Sequence, residues 1–289
     1  MQKRILEAAL LKYARWDDPA VADRLAYLAP ALRKTCEWAA KVPTTDLPDA
    51  VRIEEALFNP KRPLLADGLV SIDSEQFEAC VRDMAATLRD AANAEGALRD
   101  AMEAVDWTRF TTPDLLNTAE RSPEDYFEQV VALAEEDDLL DFYILPVLGF
   151  SLRAFLDRFA VAASRAMTTH DDVTERDRPL LCPVCGGEAH FAAVHSTPRN
   201  GNVKHLYCEA CGASWKFERI RCAHCGTSAV SDLSYVHEEA DPSRRLHVCK
   251  ACGAATPTFF ASGDEESFSP EVERLLLTGL EAAREESLA

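Results

Sequence analysis

Apolar positions recur at three- and four-residue spacing through most of the first 178 residues, the period of helices buried along one stripe. From about Asp73 to Ala104 that stripe holds Phe77, Val81, Met84 and Leu88, which predicts one long amphipathic helix. Ser122-Pro123-Glu124-Asp125 sets a capping serine, a proline at the first helical position and an acid three residues on. The apolar positions Tyr126, Phe127, Val130, Val131 and Leu133 follow. Thr112-Pro113-Asp114 repeats the cap-then-proline signal, and breaks fall at Pro43–Pro48 and at Asn59–Pro63. The most apolar run, FYILPVLGFSL over 142–152, is closed by Asp141 and Arg153. It is too short to cross a bilayer and reads as a core helix.

After Met167 the texture changes to TTHDDVTERDRP, and the boundary of the helical region is placed near residue 178. From Leu180 to about Phe260 the period shortens to two, in HFAAVHS, VKHLYC, SWKFERIRC, LSYVHEE and RLHVC, which predicts strands joined by turns. Past Gly263 an acidic linker leads to Ser269-Pro270-Glu271, which opens a last helix carrying Val272, Leu275, Leu276 and Leu280. Such a stripe needs a surface to dock on. The expected class is α+β and multidomain: an all-helical domain at 1–178, two cysteine modules at 179–221 and 222–262, and linker plus helix at 263–289.

Charge narrows the choice of partners. Of the formal −18, residues 1–178 contribute 21 Lys/Arg against 34 Asp/Glu, residues 179–262 contribute 8 against 7, and residues 263–289 contribute 2 against 8. A polyanion of this kind repels phosphate backbones and anionic lipid, so neither nucleic-acid binding nor membrane insertion is expected. The N-terminal stretch lacks the features of a signal peptide. Ten cysteines without such a signal point to a reducing compartment, with the cytoplasm the expectation.

Eight of those cysteines stand in four CxxCG units, CPVCG, CEACG, CAHCG and CKACG. A turn between two cysteines aims both sulfurs at one point, and the glycine after it permits a left-handed backbone. Two such knuckles make one tetrahedral thiolate site, so four make two. Cys182 to Cys222 and Cys185 to Cys225 are 40 residues, while Cys208 to Cys249 and Cys211 to Cys252 are 41, so the second half repeats the first. The repeat favours the sites Cys182/Cys185/Cys208/Cys211 and Cys222/Cys225/Cys249/Cys252. A crossed pairing, or a nested one uniting the central four, stays open. Dithiol redox catalysis fits four repeated units poorly, and tetrahedral thiolate accepts either iron or zinc. Cys36 and Cys80 lie in helical texture and read as core residues. Six of the seven histidines lie between 190 and 247 and read as structural or surface residues. Trp215, Phe217, Arg219 and Arg221 alternate along the joining strand, either as core plus solvated charge or as an aromatic and basic face for a partner.

The segments LLCPVCGG, VKHLYCEACGASWKFERIRCAHCG and LHVCKACG, behind a helical domain, closely resemble the formate dehydrogenase accessory protein FdhE family. The resemblance implies two tandem rubredoxin-like modules, with all eight knuckle cysteines as ligands to two metal ions, iron by resemblance. It also implies a cytoplasmic protein that is not an enzyme. Such a protein contacts the catalytic subunit of formate dehydrogenase during its assembly or maturation. After the last knuckle the chain departs from the family's pattern with AATPTFFASGDEESFSPEVERLL. Two readings from other classes compete: a rubredoxin-like electron-transfer protein, and a zinc-ribbon nucleic-acid-binding module, which the net charge opposes.

Overall fold

A computed structural model describes residues 2–14, 19–59, 61–168, 178–197, 201–239, 241–261 and 267–288. Most of the polar stretch at the expected boundary, and the acidic segment before the last helix, lie outside them. Among the described residues eight α-helices come first: α1 (Lys3–Tyr13), α2 (Pro19–Ala39), α3 (Ala50–Phe58), α4 (Ser74–Ala91), α5 (Gly96–Glu103), α6 (Pro113–Arg121), α7 (Pro123–Ala134) and α8 (Leu145–Thr168). Their starts follow local chemistry. Ser122 Oγ accepts from the Asp125 amide at 3.3 Å, Thr112 Oγ1 from Leu115 at 3.4 Å, and the Asp73 carboxylate from Gln76 at 2.8 Å.

The run at 142–152 enters α8, which packs against α2, α3 and α4 and buries residues on nearly every face, from Val147 to Met167. A helix clad on all sides has no polar face to show in its sequence. The expected single helix over 73–104 divides instead into α4 and α5. Asn93 adopts a positive φ of 50° and Gly96 one of 55°, so the chain reverses between them while Ala94 stays buried.

The strands are β1 (Phe191–Thr197), β2 (Gly201–Tyr207), β3 (Ser214–Phe217), β4 (Leu233–Val236), β5 (Arg244–Cys249) and β6 (Ala255–Ala261), and α9 (Pro270–Leu288) closes the chain. They form one six-stranded sheet in the order β3-β2-β1-β6-β5-β4. Within each repeat neighbours are antiparallel, and the repeats join through parallel pairing of β1 with β6, Ala192 opposite Thr258 through His195 opposite Ala261. Strand β6 was absent from the sequence expectations. Its Pro257 argues against a central strand, and the β1 pairing begins just after that residue.

The class is therefore α+β: helices, then a sheet bearing the cysteines, then a helix. The largest hydrophobic core runs from the helices into the first repeat, uniting Phe77, Leu152 and Phe155 with Val184, Leu206, Trp215 and Phe217. The last helix docks on α1, α2, β5 and β6. No helix among the described residues is long and apolar enough to cross a membrane.

Candidate metal centres

All four knuckles share one backbone design. In each, the amide of the first cysteine donates to the carbonyl five residues on, and the glycine amide donates back to the first cysteine: Cys182 N to Gly187 O and Gly186 N to Cys182 O, both 2.8 Å. Cys208 with Ala213 and Gly212, Cys222 with Thr227 and Gly226, and Cys249 with Ala254 and Gly253 repeat it at 2.9 to 3.2 Å. The turn closes only if its fifth residue is left-handed, and the glycines sit at φ of +86°, +85°, +75° and +79°.

The sheet brings Cys182, Cys185, Cys208 and Cys211 into one group and Cys222, Cys225, Cys249 and Cys252 into a second, the ligand atoms of each group all within 4.8 Å of one another. In the first, Sγ–Sγ distances are 3.6 Å for Cys182–Cys211 and 3.4 Å for Cys185–Cys208. In the second they are 3.8 Å for Cys222–Cys252 and 3.7 Å for Cys225–Cys249. A tetrahedron with metal–sulfur bonds of about 2.3 Å has edges of about 3.8 Å, so both groups fit a four-thiolate ion. The two clusters could hold two metal ions. Without a cation the four buried thiols of the first compete for charge: hydrogen bonds from Cys182 and its neighbours hold Cys208 well below the usual thiol range. The bond from Cys182 pushes Cys185 well above it. A bound cation removes the competition by ionising all four.

The two groups differ in depth. All four cysteines of the first are buried, whereas Cys225 and Cys252 of the second are exposed. The first is also tied into the helical body. The Leu64 and Leu65 amides donate to Pro183 O and Val184 O at 3.0 and 2.9 Å, and the Ser214 amide donates to Ser164 Oγ of α8 at 2.8 Å.

Sequence reasoning passed over Arg153, which α8 sends beneath the second knuckle. Its guanidinium donates to Glu209 O at 3.1 Å, Asp157 at 3.2 Å and Glu271 of α9 at 2.8 Å. A Cβ on Gly212 would come within 2.2 Å of it. The charged Arg153 ending an apolar run was the only signal.

The joining strand does not present the aromatic and basic face considered above. Trp215 is 2% exposed and donates to Pro179 O at 3.0 Å, and Phe217 is 3% exposed. Arg221 is buried, donating to Arg178 O at 2.7 Å and to Gly226 O and Glu218. Only Arg219 of the four is exposed. Because β3 lies against α8, its alternate side chains become core. Cys36 and Cys80 are buried, and burial pushes their thiols up to about 11 and about 12. No histidine joins either described ligand group.

A family model described as "FdhE, central domain" matches residues 181–219, which contain the first cysteine group and β1 to β3. A protein FdhE homolog of Stutzerimonas stutzeri is 24% identical over 149 residues, covering 50% of this chain and 47% of that one. The corresponding homologs of Pseudomonas aeruginosa and Aquifex aeolicus are 23% and 24% identical, over 48% and 41% of this chain and 44% and 38% of theirs. The chain thus spans about half the length of the curated relatives it matches, or less. The crystal structure of the FdhE protein from Pseudomonas aeruginosa superposes with a TM-score of 0.60 at 20% identity, over 98% of this chain and 90% of that one, and shows the same fold. Together the family model, the relatives and this fold support the FdhE family.

Proposed function

We propose that this chain is an accessory protein in formate dehydrogenase assembly or maturation, that it works without catalysis of its own, and that it acts in the cytoplasm on the enzyme's catalytic subunit. The observation that carries the reading is the pair of four-cysteine groups built into one sheet, the first of them within a segment similar to the FdhE central domain. Cys182, Cys185, Cys208 and Cys211 would hold one ion and Cys222, Cys225, Cys249 and Cys252 the other, iron by family resemblance. Each ion would supply folding free energy, on the order of 10 kcal/mol for structural zinc in comparable modules.

A client surface is supported by an apolar cleft of about 440 Å³ between the helices, the second knuckle and α9, with Leu28, Phe127, Phe150, Phe191, Tyr207 and Leu275 among its walls. Concave apolar surface at the junction of three units is where recognition sites concentrate. The test is isolation of the chain from its own cells with metal analysis of the same sample. The catalytic subunit of formate dehydrogenase should co-purify with a chain carrying two metal ions, and Cys208→Ser should lower bound metal and abolish that association. Normal metal and normal association in the variant would overturn both the ligand set and the role.

A second reading, electron transfer, draws on the exposure of Cys225 and Cys252, since a thiolate-bound iron near solvent can exchange electrons with a docked partner. Reversible reduction, with function lost when the potential alone is shifted, would favour it over the assembly role.

A further inference from the structure

Lys204 is among the largest fully buried side chains of the protein, at 0% exposure. A lone buried ammonium is strongly disfavoured, so its counter-charge must be found. No described carboxylate pairs with it. The Nζ reaches Arg221 O at 3.4 Å and His247 Nδ1 at 3.3 Å, and lies 5.3 Å from the centre of the Phe217 ring. These contacts are neutral. Glu218, the acid in its field, is committed elsewhere, to the Arg178 amide at 3.1 Å and to Arg221 at 3.1 Å.

What the contacts share is position. Arg221 immediately precedes Cys222, and His247 lies two residues before Cys249, so the ammonium is held between the two backbone segments that carry ligands of the second group. A divalent ion in four thiolates leaves two negative charges uncompensated. Such a centre would supply the missing anion. Lys204 itself stands on β2, in the first repeat, and reaches across the shared sheet.

We propose that Lys204 is the counter-charge of the second four-cysteine site, supplied by the first repeat, so that the second repeat retains its metal only while the sheet is whole. The inference rests on the second group holding a divalent ion. In the free state burial lowers the lysine to about 8, with Cys222 acting in the opposite sense, as expected of a cation waiting for a neighbouring anion. The first site has a different arrangement: Arg153 comes from α8 and is already paired with Asp157 and Glu271.

The test uses the full chain loaded with zinc, challenged with a chelator, and compares wild type with Lys204→Met and Lys204→Arg. Wild type should release its two equivalents in separate phases. Lys204→Met should speed one phase by about tenfold or more, the usual effect of deleting a partner behind the ligands, and leave the other unchanged. Lys204→Arg, which keeps the charge, should stay closer to wild type. With iron loaded, Lys204→Met should move one couple to lower potential, since losing a cation favours the oxidised site. Release and potential both unchanged in Lys204→Met would overturn the proposal. So would equal acceleration by both variants, which indicates shape and not charge. If Lys204→Met does not fold, wild-type-like release by Lys204→Arg supports the proposal and accelerated release overturns it. A wild-type chain that binds a single equivalent would instead refute the metal reading of the second group.

Discussion

Gly212 and Gly253 occupy equivalent places, each following the second cysteine of the knuckle that closes its repeat, at φ of +85° and +79°. Their surroundings differ. A Cβ on Gly253 meets nothing within 4 Å, while one on Gly212 collides with the Arg153 guanidinium. Gly253→Ala should therefore cost only the left-handed backbone, about 1–2 kcal/mol. Gly212→Ala should add an overpacking cost of ~1–3 kcal/mol and displace Arg153 from Glu209 and Glu271. Denaturant unfolding of the two metal-loaded variants measures the difference, and equal losses would mean that Arg153 yields freely. The need for glycine was legible at both positions from the CxxCG pattern. The collision at Gly212 was not, because Arg153 lies 59 positions away in the chain and arrives only through the packing of α8.

Among the elements, α9 was readable as a helix with an apolar stripe, yet nothing in its own sequence says what the stripe covers. The structure seats it by a buried charged network. Glu273 is 0% exposed, bonded to Tyr13 Oη of α1 and to Arg244 Nη2 of β5, the latter at 2.7 Å, and Arg244 Nη2 also donates to Tyr13 Oη at 2.7 Å. Removing Glu273 leaves Arg244 with Asp241, at 2.5 Å, as its remaining acid, and takes two charge-assisted hydrogen bonds from the network. Glu273→Ala should destabilise the protein by about 1.5–3 kcal/mol, the cost of losing hydrogen bonds to a buried charged group, and raise hydrogen exchange across 270–288. Unchanged exchange there would show that the apolar contacts alone seat the helix. The same distinction between local and distant causes explains the misread elements. Caps at Thr112 and Ser122 are neighbours of what they cap, so α6 and α7 were visible. The α4–α5 break depends on a reversal at Asn93 that keeps Ala94 buried, and β6 depends on pairing with β1, 66 residues earlier.

For the whole molecule, the buried phenols set an alkaline limit. Burial raises Tyr126 and Tyr13 well above an ordinary phenol and Tyr143 to about 12, and the Tyr126 and Tyr143 hydroxyls donate to Phe110 O and Ala85 O at 3.1 and 3.0 Å. Above pH ~10 the unfolded chain gives up these protons while the folded chain keeps them. The unfolded state then binds fewer protons, and stability falls as pH rises. Melting temperature should decline from about pH 10 upward, and Tyr126→Phe should soften the decline. A flat profile to pH ~11 would contradict it. At this scale much was legible along the chain: the helical body, the four knuckles, and the repeat that favoured one grouping of the eight cysteines by fours. These follow from spacings of a few residues or from a shift of 40, and both are written along the chain. Only the tertiary structure decided that the two repeats share one sheet, that Trp215 and Phe217 face inward, and that Arg153 and Lys204 lie behind the cysteine groups. The reason is physical. Turn geometry and helical period are set by neighbouring residues, whereas the burial of a strand face and the partner of a buried cation depend on which distant surface arrives to cover them.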